Sequence, residues 1–270
     1  DTLTRNDTFA DSNYQFPREQ KAFLEKTKRY WHQWRGPEAT GMSVTASPPV
    51  TWSEENNIRW KVPLKGQGNA SPIVWDDKIF VLAAVDTKVV DPSLPPPEEQ
   101  PERVFGITFP NTLFQFEVLC FDRFTGKKLW QQTATEKVPH EGTHHHADFA
   151  CASPVTDGER LYCWFGSAGM YCYSLDGTLL WKRDLGEVRV GASLGEGCSP
   201  VLHHGRLIIV RDHSGQSSIE VLEAATGQTV WKHTRDEKNA WATPKIFTKD
   251  GERTQVITAA SNFIRSYDLD

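Results

Sequence analysis

A short phrase, Gly-x-x-x-Trp, occurs three times in this chain, as Gly126-Lys-Lys-Leu-Trp130, Gly177-Thr-Leu-Leu-Trp181 and Gly227-Gln-Thr-Val-Trp231. A second phrase keeps step with it. Ser-Pro or Thr-Pro stands at Ser71-Pro72, Ser153-Pro154, Ser199-Pro200 and Thr243-Pro244, and seven residues after the first three prolines an apolar run begins, at Ile79, Leu161 and Leu207. Landmarks that recur together at a period of roughly 20–50 residues mark a stacked or radial repeat, in which one unit cannot bury its apolar surface alone.

The unit reads as strands. Ile79–Val85, Leu207–Val210 and Val256-Ile257 are apolar on both faces, whereas a sheet with one wet face would alternate. Helix-period patterns are nearly absent after the first thirty residues, so the class is all-β. Small antiparallel sheets joined by short turns and buried on both sides must stack face to face, which a β-propeller of four-stranded blades achieves. The repeats run over about 71–133, 150–184, 198–235 and 243–270, and the last stops short of its Trp strand. In the first, strands are expected at Ile73–Trp75, Ile79–Val85, Phe116–Phe121 and Lys128–Gln132. Between the second and third of these, residues 86–113 carry six prolines and read as an excursion from a hairpin tip. Trp130, Trp181 and Trp231 are expected to be wedges between blades, because a repeated position serves packing first.

Residues 1–46 form an N-terminal extension with a short helix over 17–31, and 47–270 form the partial propeller. The stretch Thr51–Leu64 looks like the Trp-bearing last strand of a repeat whose earlier strands are missing, a latch for a ring. Formal net charge is only −5 with no long basic run, which argues against a nucleic-acid partner. No apolar stretch approaches the roughly 18 residues of a membrane span. The chain begins without Met or a leader, which reads as processing or as a leader outside this stretch. The five cysteines form neither a zinc pattern nor a dense disulfide framework; Cys163 and Cys172 alone are placed to face one another across a hairpin.

Trp34-Arg35-Gly36-Pro37, Ser71-Pro-Ile-Val74, Asp122-Arg-Phe-Thr-Gly-Lys-Lys-Leu-Trp130, Ser153-Pro-Val-Thr-Asp-Gly-Glu-Arg-Leu-Tyr162 and Ala225-Thr-Gly-Gln-Thr-Val-Trp231 together resemble the pyrroloquinoline-quinone-type (PQQ-like) β-propeller repeat proteins, in their bacterial envelope variant. The resemblance covers roughly residues 30–270. It implies a ring of seven or eight blades, of which about four lie here, and a periodic home in the envelope: periplasmic or secreted, reached by a signal peptide. The label implies a fold rather than an activity. The quinoprotein dehydrogenases of this class hold their quinone with a calcium site and an adjacent Cys-Cys pair; no two cysteines here are neighbours, so no PQQ is expected.

Function in a propeller gathers on the loops at the ends of its channel. Two of the connections that follow a repeat's Trp are long. The first, His140-Glu141-Gly142-Thr143-His144-His145-His146-Ala147-Asp148, supplies nitrogen and oxygen donors suited to a divalent transition metal, with His144 and His146 on one side if the loop is extended. The second, Val188–Gly197, contains Arg189 and Glu196; its glycines suit tight bends with positive φ better than a phosphate loop, since no Lys-Ser/Thr follows. Trp241 precedes Thr243-Pro244, where it lines the channel mouth or packs. The string Arg211–Ser217 reads as an Asx-type turn and not a catalytic triad, because triad roles need convergence in space. His140, Glu141, His144, His146, Arg189, Glu196 and Trp241 are therefore the candidate channel-mouth residues. The leading expectation is a non-enzymatic scaffold that binds a protein or small-molecule ligand at this face. The alternative is a quinoprotein-like oxidoreductase or a metal-assisted enzyme at the His140–His146 loop.

Overall fold

A computed structural model describes residues 25–43, 45–249 and 253–269. These form fifteen strands in four antiparallel sheets, each sheet in simple chain order. The first holds β1 (Ile73–Trp75), β2 (Lys78–Val90), β3 (Thr112–Asp122) and β4 (Lys128–Lys137). The second holds β5 (Val155–Thr156), β6 (Arg160–Trp164), β7 (Met170–Ser174) and β8 (Leu179–Arg183). The third holds β9 (Val201–His203), β10 (Arg206–Arg211), β11 (Ser217–Glu223) and β12 (Thr229–Arg235); the fourth, β13 (Lys245–Phe247), β14 (Gln255–Ala259) and β15 (Ile264–Asp268). This is an arc of a β-propeller, incomplete as expected.

The two-faced apolar strands are explained by where the cores lie. Leu161 and Cys163 of β6, with Tyr171 and Tyr173 of β7, pack towards Ile73, Phe80 and Val118 of the first sheet. Tyr162, Met170 and Cys172 point the other way, onto Leu207, Ile209 and Leu222 of the third. Ile208, Val210, Ile219 and Val221 in turn meet Val256 and Leu269 of the fourth. Because side chains alternate faces along a strand, a sheet with a neighbour on each side needs apolar residues at every position. The fourth strand of the first three sheets is different: in β4, β8 and β12 most residues are exposed, and the Trp is half-buried in each.

That Trp is the outer lock between sheets. Trp130 Nε1 donates to Leu175 O (3.1 Å), Trp181 Nε1 to Ala224 O (3.0 Å) and Trp231 Nε1 to Leu269 O (3.0 Å), in each case the residue after the third strand of the next sheet or its equivalent. For Trp130 and Trp181 the indole also lies on that sheet's turn glycine. A Cβ at Gly177 would sit 2.9 Å from Trp130, and one at Gly227 2.8 Å from Trp181. Both glycines have positive φ, +92° and +71°, so the position excludes other residues twice over. The wedge expectation for the three tryptophans therefore holds in like surroundings.

An inner lock was not anticipated. Ser71 N–H donates to Ser153 Oγ (2.9 Å), Ser153 N–H to Ser199 Oγ (3.0 Å) and Ser199 N–H to Thr243 Oγ1 (3.2 Å). The hydroxyl of each Ser/Thr-Pro thus receives the backbone of the sheet before it, a relay that runs through all four sheets.

Other features depart from expectation. The excursion is shorter than 86–113, because β2 runs on to Val90 and β3 starts at Thr112; a β-bulge between Asp86 and Val90 absorbs Lys88 at φ +63°, and β-branched Thr87, Val89 and Val90 favour the strand until Pro92 ends it. Cys163 and Cys172 do not face each other. Cys163 pairs with Tyr171 and Cys172 with Tyr162, so the one-residue offset sends them to opposite faces, and both thiols are free. Trp60 sits on Gly126 and donates to Arg123 O (3.0 Å), the place a preceding blade's outer strand would occupy, but residues 57–64 join no sheet. Residues 25–27 of the anticipated 17–31 helix are helical; its earlier residues lie outside the described ones. Beyond it, Trp31 O and His32 O accept from Val74 N (2.7 Å) and Thr156 N (3.1 Å), tying the extension to the first two sheets.

Replacing Trp181 by Ala removes a half-buried indole and orphans the Ala224 carbonyl, and should lower stability by about 2–4 kcal/mol. Leu180→Ala, at a side chain 48% exposed beside it, should change stability by about 0.5 kcal/mol or less. Urea denaturation followed by Trp fluorescence and far-UV circular dichroism measures both.

Candidate functional site

The long connections and the hairpin tips between second and third strands meet at one end of the arc and are stitched together there. His140 Nε2 lies 2.9 Å from Val188 O, and Val190 N–H donates to Glu141 (3.0 Å), so the two histidine- and glycine-bearing loops run side by side. Ser214 N–H donates to Arg189 O (2.8 Å), and Gly191 N–H to Asn239 Oδ1 (2.9 Å) in the connection after β12. The loops of all four sheets form one continuous rim.

Glu196 is the hub of this rim. Its carboxylate lies over Gly166 and accepts from the Ser167 hydroxyl (2.6 Å) and from Ser167 N–H (3.1 Å), while the same hydroxyl oxygen accepts from Val188 N–H (2.8 Å). Burial pushes its carboxyl above the usual range, against the opposing pull of the Ser167 hydrogen bonds and of nearby His140 and Arg211. Beneath it a cavity of about 50 Å³ is bounded by Lys137, His140, Cys151, Trp164, Glu196 and Cys198. Burial raises the Cys151 thiol to about 12, so it is a neutral thiol at physiological pH and not a thiolate nucleophile.

The fold class suggests a quinone, and these residues do not fit one. Ligand pockets for such molecules run to about 300–1,000 Å³, well beyond this cavity. Cys151 and Cys198, the two thiols at its wall, are held by different loops, and Cys151 Sγ is turned to Asp148 O at 3.0 Å.

The structure brings His140, Glu141 and Glu196 together around the cavity, and separates the others from them. Trp241 closes the rim from outside by donating to Gly195 O (2.7 Å), with its indole against Gly197. Arg189 is exposed, near Glu187 only at 3.9 Å. His144 and His146 stand on a separate turn, joined by His145; one nitrogen from each of the three lies within 4.8 Å of the others. Of the glycines in the second loop, Gly195 has positive φ (+97°), whereas Gly191 and Gly197 are needed for the close approach of Asn239 and Trp241; the left-handed bend itself falls on Ala192 and Ser193.

Sequence reasoning passed over Ser167 and Asn239, which carry no signal beyond being polar; it placed His145 in the donor-bearing loop but singled out only His144 and His146 as ligands. It also misassigned Asp212. That carboxylate makes no Asx turn: it forms a fully buried bidentate pair with Arg235 (2.7 and 2.9 Å), and the turn is closed by His213 N–H to Ser217 Oγ (2.9 Å) and Gly215 N–H to His213 Nδ1 (3.1 Å). Arg235 ends β12, and nothing in the spacing announces that it folds back on Asp212.

No curated protein matches the chain. Among solved structures, quinohemoprotein alcohol dehydrogenase from Comamonas testosteroni is similar at 14% identity over 63% of this chain and 21% of that one, with a TM-score of 0.40. A second quinohemoprotein alcohol dehydrogenase, from Pseudomonas putida HK5, is similar at 14% identity over 83% and 29%, TM-score 0.45. BamB from Moraxella catarrhalis is similar at 14% identity over 58% and 42%, TM-score 0.35. The chain spans less than half the length of each. A family model described as outer membrane protein assembly factor BamB matches residues 115–262, from β3 through the turn that precedes β15, and by that match the chain belongs to this family of PQQ-like β-propeller repeat proteins.

Proposed function

We propose that the chain is a non-enzymatic binding propeller of the cell envelope that docks a partner protein on its loop face, within the machinery that assembles outer-membrane proteins. The observation that carries this reading is the use of the rim's polar groups. His140, Glu141 and Glu196 are committed to backbone and hydroxyl partners in neighbouring loops, which makes the rim a preorganised platform. Apolar side chains project beside it: Val104 and Phe105 at the tip of the excursion are 59% and 66% exposed, and Trp241 is 43% exposed. Exposed aromatics on a rigid polar rim suit a protein interface.

A periplasmic location, reached by a signal peptide, accompanies this reading, as does the division into an extension over 1–46 and a propeller portion from 47 on. No helix among the described residues is long and apolar enough to cross a membrane. The family's description, an outer membrane protein assembly factor, supports a protein partner. A metal-assisted enzyme at the His140–His146 loop is the second reading, favoured by the three-histidine turn.

Two measurements test the platform. With a photo-crosslinking side chain at Phe105 in the full-length protein in its native envelope, a discrete adduct with an outer-membrane assembly component is expected. The same group at Leu129, exposed on outer strand β4, should give none; equal labelling from both positions would overturn the reading. The second measurement concerns Glu196 as a structural member. Its folded-state pKa is raised, so the native state binds the proton more tightly than the unfolded chain, and stability falls as pH rises from the ordinary value of 4.5 through the raised one. Glu196→Gln removes that titration. Its stability relative to wild type should therefore rise between about pH 4 and pH 8 in urea melts.

A further inference from the structure

We propose that the turn His144-His145-His146 is a binding site for a single borderline divalent cation of the Zn²⁺, Cu²⁺ or Ni²⁺ type, held by three imidazoles with at least one coordination position left open to water or to a ligand from outside.

The donor set selects the ion class. One nitrogen from each histidine lies within 4.8 Å of the others, and the ring centroids are 4.0, 4.0 and 5.2 Å apart. The carboxylates that flank the turn in sequence are engaged elsewhere: Glu141 accepts from Val190 N–H, and Asp148 is buried and accepts from Ala150 N–H (2.7 Å). A site of imidazole nitrogen alone suits Zn²⁺, Cu²⁺ and Ni²⁺, and not the oxygen-seeking Ca²⁺ or Mg²⁺.

The turn is held in place before any ion arrives. Ala147 N–H donates to His144 O (2.7 Å), which closes the turn. Asn69 Nδ2 donates to His146 O (2.8 Å) from the segment leading into β1, and the Phe105 ring stands edge-on to His144 at 5.7 Å. Only the rings need to move. Zn–N bonds of about 2.0–2.1 Å at tetrahedral angles place nitrogens roughly 3.3–3.4 Å apart, so the rings must close by a little over an ångström. His145 and His146 are exposed, and the one bond of the turn that uses a ring nitrogen, His146 N–H to His144 Nδ1, is long at 3.3 Å.

None of the three side chains takes part in the hydrogen bonds that stitch the rim together, although the turn borders the docking surface through Phe105. The test is titration of the purified chain with Zn²⁺ alone at about pH 7.5 by calorimetry, with Cu²⁺ electron paramagnetic resonance as a second readout. One Zn²⁺ per chain is expected, with a Cu²⁺ spectrum showing nitrogen ligation. The double variant His144→Asn/His146→Asn should weaken binding by at least about tenfold and lose the nitrogen hyperfine pattern. The control His203→Asn/His204→Asn, at the other adjacent pair, should bind as wild type. An unchanged thermal midpoint in the first variant shows that the fold is kept. No binding by wild type at about 100 μM Zn²⁺, or binding unaltered in the His144/His146 variant, would overturn the proposal.

Discussion

The indole N–H of a partly buried tryptophan must find an acceptor, and for the repeated Trp130, Trp181 and Trp231 the acceptor belongs to the next sheet. Everything else is arranged so that it can. For Trp130 and Trp181 the ring reaches the neighbouring carbonyl while lying on that sheet's third turn, where a glycine at positive φ leaves room for it. Gly-x-x-x-Trp is thus one device with two ends: its glycine receives the preceding sheet's tryptophan, and its own tryptophan is delivered to the following one. Trp60 on Gly126, Trp130 on Gly177 and Trp181 on Gly227 are successive links. Each sheet is fastened to its nearest neighbours alone, and stability is then a sum of single-sheet and interface contributions.

The Ser/Thr-Pro pairs do at the inner edge what tryptophan does at the outer. An inner strand has no partner on its axial side, so a backbone N–H there needs an acceptor from elsewhere. Proline removes one such donor, and the hydroxyl of the next sheet satisfies the one before it. This explains why Thr243 can stand in for serine: the relay uses only the oxygen. With one lock near the axis and one at the rim, adjacent sheets are held at two radii, and a small shear of either would break a hydrogen bond.

Repeated features were legible from the sequence because repetition itself is the signal. The strands around Ile79, Leu161 and Leu207, the face-to-face stacking and the tryptophan wedges all follow from landmarks that recur. The Ser/Thr-Pro landmark was legible for the same reason, though its hydrogen-bond relay was not; the other features that were missed occur once. The Asp212–Arg235 pair joins residues 23 apart by a fold-back with no local pattern, and its buried charges are matched by geometry that no spacing encodes. Glu196 was recognisable as a candidate, but its partner Ser167 was not, because a serine at a hairpin tip looks like any other turn residue. The supposed facing of Cys163 and Cys172 failed by a single residue of register, the smallest error that moves a side chain to the other side of a sheet.

The separation of repeated from single features also divides the labour of the molecule. The two locks and the alternating cores use residues on strands, on the short turns and at the ends of the connections after Trp130 and Trp181, such as Ala150, Ala152, Ser153 and Ser199; the middle stretches of those connections are left out of them. Those connections can differ in length and composition at little cost to the arc, as loop-closure entropy grows only slowly with length. They are nevertheless not loose, because each is hydrogen-bonded to the next through His140, Glu141, Ser167 and Asn239. Burying Glu196 at their centre costs stability at neutral pH, and the strongest of its bonds, from Ser167, offsets part of that cost. A fold of nearest-neighbour sheets tolerates this because a local penalty in one loop is not transmitted past the adjoining interface. The rim is thereby stiff without being part of the scaffold, and the histidine turn, anchored by Asn69 outside the rim, is free to acquire a chemistry of its own.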